Sequence, residues 1–407
     1  MQNIDEIEDL SLSHLLEPPY AGNPYALYRR LRTTDPVHWD ERGSWVLTRY
    51  ADVVAALRDS RLSAERFSLD VSGLPEEVQR PVRALARQML FLDPPDHTRL
   101  RTLVAKAFTP RMVEVMRLSI QRIVDDLLDA VEPDGSFEVI GALAFPLPAI
   151  VIAQMLGVPP EDRLQFAHWT AAFGALLDGA LLTAIGLQEA LVRVSALMDY
   201  FRQIIAQRRS APRDDLLQAL LNAEEQGDTL SEDELLGNCI LLLAAGHGTT
   251  THLIGNGLLA LLQHPDQLEW LRQNPALIGP AVLELLRYDS PVQMTGRQAQ
   301  TDLEIGGKHI QAGQYILACL GAANRDPQQF PDPDRLDLQR AAGKQLAFGH
   351  GIHYCLGAPL GRLEAEIALS TLLRRFPALH LACEAATLTW LPGLVFRGLR
   401  ALPVSIQ

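Results

Sequence analysis

The chain has 407 residues, with 36 Lys+Arg against 49 Asp+Glu for a formal charge of −13, and 48% of its residues are hydrophobic. That composition belongs to a folded chain with a sizeable core and excludes disorder over the whole length. The acidic balance argues against non-specific nucleic-acid binding, which needs cations to displace phosphate counterions.

The N-terminus, MQNIDEIEDL, lacks the basic flank and apolar core of a signal peptide. No apolar run approaches the roughly 18 residues of a membrane span, so no membrane and a cytoplasmic location are expected. Val37-His38-Trp39, a turn at 40–43, and Trp45-Val46-Leu47 predict a hairpin. Thr109-Pro110 reads as a cap followed by proline in the first turn, and Met116, Ile120, Ile123, Leu127 and Ala130 space the apolar face of one amphipathic helix. Glu132-Pro133-Asp134-Gly135 should end it. Helices are further predicted over 145–157, 161–187 and 188–209; the apolar stretch 166–187 reads either as a core helix or as the roof of an apolar pocket. Ser231-x-x-Glu234 is a capping-box pattern opening a long helix to about Leu262. Short strands are expected at Leu303–Ile305 and Tyr315–Leu320, with strands and loops again over the last thirty residues. No repeat and no low-complexity linker divides the chain. The fold class is therefore mainly α, one large helical unit with small sheets attached.

The four cysteines, Cys239, Cys319, Cys355 and Cys383, contain no CxxC, and so form neither a disulfide framework nor a cysteine-only zinc site. Cys355 stands apart from the rest. It lies in FGHGIHYCLG, Phe348–Gly357, directly before a strong helix pattern, LGRLEAEIALSTLLRRF. A cysteine at a helix mouth faces unpaired N–H groups and the positive dipole end, which favours thiolate. Gly349 and Gly351 permit tight turning, and Gly357 permits close approach of something flat. Such a thiolate can be a nucleophile, a zinc ligand or an axial ligand to heme. His350-x-x-His353-x-Cys355 does not match paired zinc-ligand spacing, and no orienting base accompanies a nucleophile.

Phe348-x-x-Gly351-x-x-x-Cys355-x-Gly357 resembles the heme-binding loop of the cytochrome P450 monooxygenases in their soluble bacterial form, with histidine at 353. Three further motifs stand in that family's order: Glu284-x-x-Arg287, the meander-like AANRDPQQFPDPDRLDLQR (Ala322–Arg340), and Ala245-Gly246-His247-Gly248-Thr249-Thr250. The resemblance runs from about Pro24 to the C-terminus. It implies the cytochrome P450 fold, a large helical domain with a long distal helix over the heme, as a single heme domain over 1–407 with a short N-terminal extension at about 1–20.

The resemblance also implies roles. The cofactor is heme b (iron protoporphyrin IX), with Cys355 as its thiolate and metal ligand and Thr249 as the proton-relay hydroxyl. Ala245 belongs to the oxygen groove, and Phe348, Gly349, His353 and Gly357 to the cofactor loop. His97 and Arg101, together with Arg297 and His353, match the propionate-binding positions. Glu284 and Arg287 are structural, with Arg340 or Arg335 completing the pair. Gly248 departs from the family, which usually has an acid there; ordered water, the substrate's own polar groups or use of peroxide are three accounts of that departure. The substrate pocket draws on Leu90, Phe173, Leu242, Val292, Met294 and Phe396, or these are plain core. The reaction implied is insertion of one oxygen atom of dioxygen into a hydrophobic small molecule, as in bacterial enzymes acting on macrolides, terpenoids and other secondary metabolites. No flavin or iron–sulfur segment accompanies the chain, so electrons are expected from a separate ferredoxin and ferredoxin reductase, with Lys344, His350 and Arg362 as a local basic patch. A peroxide-driven peroxygenase and a non-catalytic heme protein are the alternatives.

Overall fold

The computed structural model describes residues 10–406, apart from 18–19, 66–72, 74, 132–134, 163–168, 170–172, 175, 178–183, 226 and 342. The predicted hairpin forms: Val37–Asp40 and Ser44–Leu47 pair antiparallel, Val37 opposite Leu47 and Asp40 opposite Ser44. Tyr315–Cys319 then joins Ser44–Leu47 in parallel and Met294–Ala299 antiparallel, and Leu62–Ser63 completes a five-stranded sheet. Leu303–Ile305 and Lys308–Ile310 make a separate small hairpin. His380–Leu381, Pro403–Ser405 and Ser136–Glu138 form a three-stranded sheet, so the C-terminal strands find a partner far upstream.

Helices make up the rest, and their core is built around one element. The long helix spans Glu232–Gln263 and starts with the predicted capping box: Ser231 Oγ accepts from Glu234 N at 3.4 Å, and Ser231 N donates to Glu234 Oε2 at 2.9 Å. It continues unbroken through 245–250 and contributes Leu235, Ile240, Leu253, Ile254 and Leu258 to the main core, which it shares with Pro146–Met155 and with the helix Ala358–Arg375 that follows the cysteine loop.

Two expectations change. The single helix predicted after Thr109 is two, Pro110–Val115 and Arg117–Asp129, with Thr109 Oγ1 accepting from Met112 N at 3.2 Å. The break resets the phase, and the buried face is Ile120, Ile123, Val124 and Leu128, while Ala130 is exposed. A strict 4-3 repeat drifts by about 20° per heptad from a real helix, which is why the far end of the predicted stripe misses the core. Downstream, one helix spans Ala184–Ser210 instead of beginning at 188. Most of the predicted helix over 161–187, and the turn at Glu132–Asp134, lie outside the described residues.

The Glu284–Arg287 pair is fully buried on the helix Ile278–Tyr288. Arg287 Nε and Nη2 donate to the two Glu284 oxygens at 2.7 and 2.8 Å, a bidentate fork. Arg340 completes the group with Nε 3.2 Å from Glu284 Oε1, and Arg335 contributes only its carbonyl. Arg287 also donates to the carbonyls of Asn324 and Pro333 at 2.9 and 2.8 Å, and Arg340 to that of Asp332 at 3.1 Å. The meander has little regular secondary structure, so these side chains satisfy backbone groups that no ladder would.

Glu364, on the helix Ala358–Arg375, is 1% exposed, and its Oε2 has no partner among the described residues. Burial holds its carboxyl well above the usual carboxylate range. The folded state therefore keeps a proton that the unfolded chain releases above about pH 4.5, and stability falls as pH rises, by up to about 1.4 kcal/mol per pH unit. Glu364→Gln should remove this slope. Urea midpoints of the two proteins should converge near pH 4 and separate toward pH 7 with the variant more stable; parallel curves would show that Glu364 is ionised in the fold.

Candidate heme site

Cys355 is presented by a loop whose shape depends on glycine. Gly349 and Gly351 take φ of 71° and 73°, a region side chains disfavour. A Cβ on Gly351 would stand 2.6 Å from the carbonyl oxygen of Leu57, so the loop also needs glycine to pass that backbone. Cys355 N donates to Phe348 O at 2.9 Å, and Tyr354 N to Gly351 O at 3.1 Å, closing the loop on itself. Upstream, Asn324 Oδ1 accepts from Leu346 N at 2.7 Å while its Nδ2 donates to Ser290 Oγ at 2.8 Å. The Arg287 cluster is thereby tied through Asn324 to the entry of the loop. Asn324 lies inside the quoted meander, but nothing in its spacing marked it as this link.

Cys355 is exposed, and the surroundings of its thiol pull in both directions. Desolvation raises its pKa; backbone N–H groups of Gly357 and Ala358 and the charge of Arg101 oppose this. The expected bias toward thiolate from the helix mouth is present, and in the protein alone burial outweighs it. A Cβ on Gly357 would lie 3.9 Å from Cys355 Sγ, filling the space beside the sulfur.

The four predicted cationic positions come together from three separate segments. His97 and Arg101 lie on the helix Asp96–Ala107, Arg297 on the strand Met294–Ala299, and His353 in the cysteine loop. The rings of His97 and His353 are 4.2 Å apart between centroids. Arg101 Nη2 donates to Tyr354 O at 2.6 Å and Arg297 Nη1 to Gly296 O at 2.7 Å. Arg101 meets no carboxylate among the described residues, and both nitrogens of the buried His97 lack a hydrogen-bond partner there. Desolvation, then the charge of Arg101, lowers the His97 pKa.

Thr249 and Ala245 sit one turn apart on the long helix, Thr249 Oγ1 donating to Ala245 O at 2.7 Å. Ala245 is exposed and Thr249 half-buried, whereas Thr250, Thr251, Leu253 and Ile254 are buried. The pocket candidates divide. Leu90, Phe173 and Leu242 share the main core cluster, and Phe173 is 1% exposed. Val292 and Phe396 face one another through an isolated β-bridge, both half-buried. Met294 packs with Tyr25, Tyr28, Cys319 and Leu394 in a different cluster. Strand side chains alternate, so Met294 and Arg297, three residues apart, face opposite sides of the sheet; Thr295 shares the Arg297 side.

With this geometry in place, comparison with known proteins identifies the class. The cytochrome P450 family model matches residues 182–382. The chain is 44% identical over 374 residues to cytochrome P450 CYP107DY1 of Priestia megaterium, covering 89% of each. It is 43% identical over 395 residues to cytochrome P450 monooxygenase PikC of Streptomyces venezuelae, covering 95% of this chain and 91% of that one. Among solved structures, P450BioI in complex with a hexadec-9Z-enoic acid-ligated acyl carrier protein superposes with a TM-score of 0.90 at 41% identity, covering 95% of this chain and 99% of that one. The chain belongs to the cytochrome P450 family. It is an oxidoreductase of the bacterial P450 monooxygenase type, and its cofactor is heme b.

The residues present suit that cofactor. Heme b carries two carboxylates, and a group of arginines and imidazoles with an unpartnered buried histidine is a donor set for anions. The glycine beside Cys355 Sγ leaves room for a flat ring.

Proposed function

We propose that the chain inserts one oxygen atom of dioxygen into a hydrophobic small molecule, by hydroxylation or epoxidation, using electrons from a separate ferredoxin and ferredoxin reductase. The observation that carries this reading is the convergence of the cysteine loop with the basic cluster: His353 lies ring to ring with His97, Arg101 bonds Tyr354 O, and the charge of Arg297 reaches His97. Cys355 would ligate the heme iron, and His97, Arg101, Arg297 and His353 would hold the propionates. Bound heme would supply oxygen activation, which a thiolate ligand favours. N–H groups of Gly357 and Ala358 stabilise the thiolate form of Cys355. Thr249 offers its hydroxyl to hold and pass a proton, and the apolar walls at Leu90, Phe173, Leu242, Val292 and Phe396 exclude water and bind substrate by burial, at about 25 cal/mol per Å².

Arg101 gives a direct test of the propionate assignment. Arg101→Gln keeps a hydrogen-bond donor and loses the charge. Charge-assisted bonds are worth about 1.5–3 kcal/mol, so heme should transfer to apomyoglobin roughly 10- to 100-fold faster, with the Soret band of the intact protein unmoved. An unchanged transfer rate would remove Arg101 from the propionate set.

On this reading residues 1–407 form a single heme domain after an extension at about 1–20, and a cytoplasmic location fits, no helix of the described residues being long and apolar enough to cross a membrane. Ferredoxin would dock at the cysteine-loop face. There Lys344 is exposed, Arg362 lies 3.6 Å from Glu366, and Arg58 Nε donates to His350 Nε2 at 2.6 Å, adding a cation from a distant segment of the chain.

The experiment that tests the function is a titration of the ferric protein with macrolides, terpenoids, steroids and fatty acids, watching the Soret band. One class should drive the band toward its high-spin position and then be oxidised with a ferredoxin system. A shift only with an acyl chain on a carrier protein, as in the P450BioI complex, would make the substrate carrier-borne. Product with peroxide alone and none with the reductase system would favour the peroxygenase reading that Gly248 suggests.

A further inference from the structure

Between Glu234 and Gln263 the long helix contains no Asp, Glu, Lys or Arg, and its only ionisable side chains there are Cys239, His247 and His252. A hydroxyl such as Thr249, asked to pass protons, therefore has no carboxylate neighbour on its own helix. Cys239 is fully buried, nearly three turns before Thr249. His247 is committed elsewhere: its Nε2 lies 3.0 Å from Phe145 O and its ring packs on Phe145 at 4.3 Å between centroids.

His252 is different. It stands three residues after Thr249 and seven after Ala245, so all three occupy one stripe of the helix. This is the stripe that is not fully buried, its neighbours Thr250, Thr251, Leu253 and Ile254 being enclosed. A helical side chain leans toward the N-terminus over residues i−3 and i−4, which for His252 are Thr249 and Gly248. Gly248 offers no obstruction, since even a Cβ there would meet nothing within 4 Å. The ring is also held. Its Nδ1–Cε1 edge rests on Gly398, where a Cβ would come within 1.9 Å of Nδ1, and the neighbouring Asn256 Nδ2 binds Arg397 O at 3.0 Å to keep that segment in place. Neither ring nitrogen has a hydrogen-bond partner among the described residues. Thr249 spends its own proton on Ala245 O, so what it has left is lone pairs, and an imidazole N–H is the complementary donor.

We propose that His252 is the relay partner of Thr249, supplying the proton that a carboxylate at position 248 would otherwise deliver. As the Thr249 hydroxyl proton moves into the pocket, His252 N–H passes its proton to Thr249 Oγ1 through one water. The other ring nitrogen takes a proton from water, so one proton enters for each one that leaves and the ring stays neutral overall. A ring that is neutral at working pH can do both, and burial with the neighbouring His247 holds the His252 pKa down to about 4.

The proposal rests on the heme-thiolate reading, and the test separates the two. The wild-type holoprotein is first checked for the thiolate-type spectrum of its reduced, carbon-monoxide-bound form; without it the underlying reading and this proposal both fall. His252→Asn is then compared with the wild type for product formed per electron consumed and for the cyanide affinity of the ferric protein, a readout needing no turnover. Hydrogen cyanide binds as the anion after a nearby group takes its proton. In the variant, product per electron should fall at least tenfold with peroxide accounting for the electrons, cyanide should bind about tenfold more weakly, and the substrate-induced Soret shift should persist. Adding Gly248→Glu to His252→Asn should restore product per electron. Wild-type coupling and cyanide affinity in His252→Asn would overturn the proposal. So would a loss of coupling that brings loss of the Soret shift and no restoration by Gly248→Glu, which would make His252 a packing residue against Gly398.

Discussion

Arg287→Ala is expected to abolish accumulation of heme-loaded protein, and to destabilise whatever folds by about 3–5 kcal/mol, the cost of leaving a buried charge without its partner. The argument is local. Glu284 is fully buried, and Arg287 supplies two of its strongest bonds. Removing that guanidinium also strips donors from the carbonyls of Asn324, Pro333 and Arg335, in a segment with no ladder to replace them. Arg340 remains 3.2 Å from Glu284 Oε1 and makes no bond to Oε2, whose donor is Arg287 Nε. Arg287→Lys should do nearly as badly, because an ammonium cannot fork across a carboxylate and still reach three carbonyls. Arg340→Ala should cost visibly less, since its side chain is partly solvated and water can fill in. Heme content per protein and urea midpoints, measured for the three variants, check the ranking. Equal losses for Arg287→Ala and Arg340→Ala would refute the view that the buried fork is the main tie.

Cys355→Ser is expected to leave a folded chain that has lost its reaction. The loop is closed by Cys355 N to Phe348 O and shaped by Gly349 and Gly351, none of which depends on the sulfur. Folding should therefore survive, with a change in urea midpoint small beside that of Arg287→Ala. The reduced, carbon-monoxide-bound protein should lack the red-shifted Soret band of thiolate ligation, and reductase-driven product should fall below one part in about a thousand, since a hydroxyl gives much less electron donation to iron. A thiolate-type spectrum in Cys355→Ser would overturn the ligand assignment. The contrast between the two variants matters more than either alone: one removes chemistry and keeps the fold, and the other removes the frame that holds the chemistry.

Local signals were legible where the physics is local. Turn residues and alternation located the hairpin Val37–Leu47, and the Ser231–Glu234 box located the start of the long helix to within one residue. Glycines 349, 351 and 357 around Cys355 marked a loop that must turn tightly and be approached closely, and both Gly351 against Leu57 and Gly357 beside Cys355 Sγ show why. Where a periodic stripe was extended over too many turns, as from Met116 to Ala130, small angular errors accumulated and a break at Met116 escaped notice.

What sequence alone determined here is the set of chemical groups and the family that orders them: a cysteine at a helix mouth, a threonine among small residues, a Glu-x-x-Arg pair and a cluster of basic positions. What only the tertiary structure decided is which of these meet. Arg340, and not Arg335, reaches Glu284; Asn324 links the buried pair to the cysteine loop; Met294 packs with Tyr25 and Tyr28; and the His252 ring rests against Gly398. Each depends on contacts between segments tens to hundreds of residues apart. Helix phase, strand face and backbone approach fix those contacts, and no local pattern encodes them.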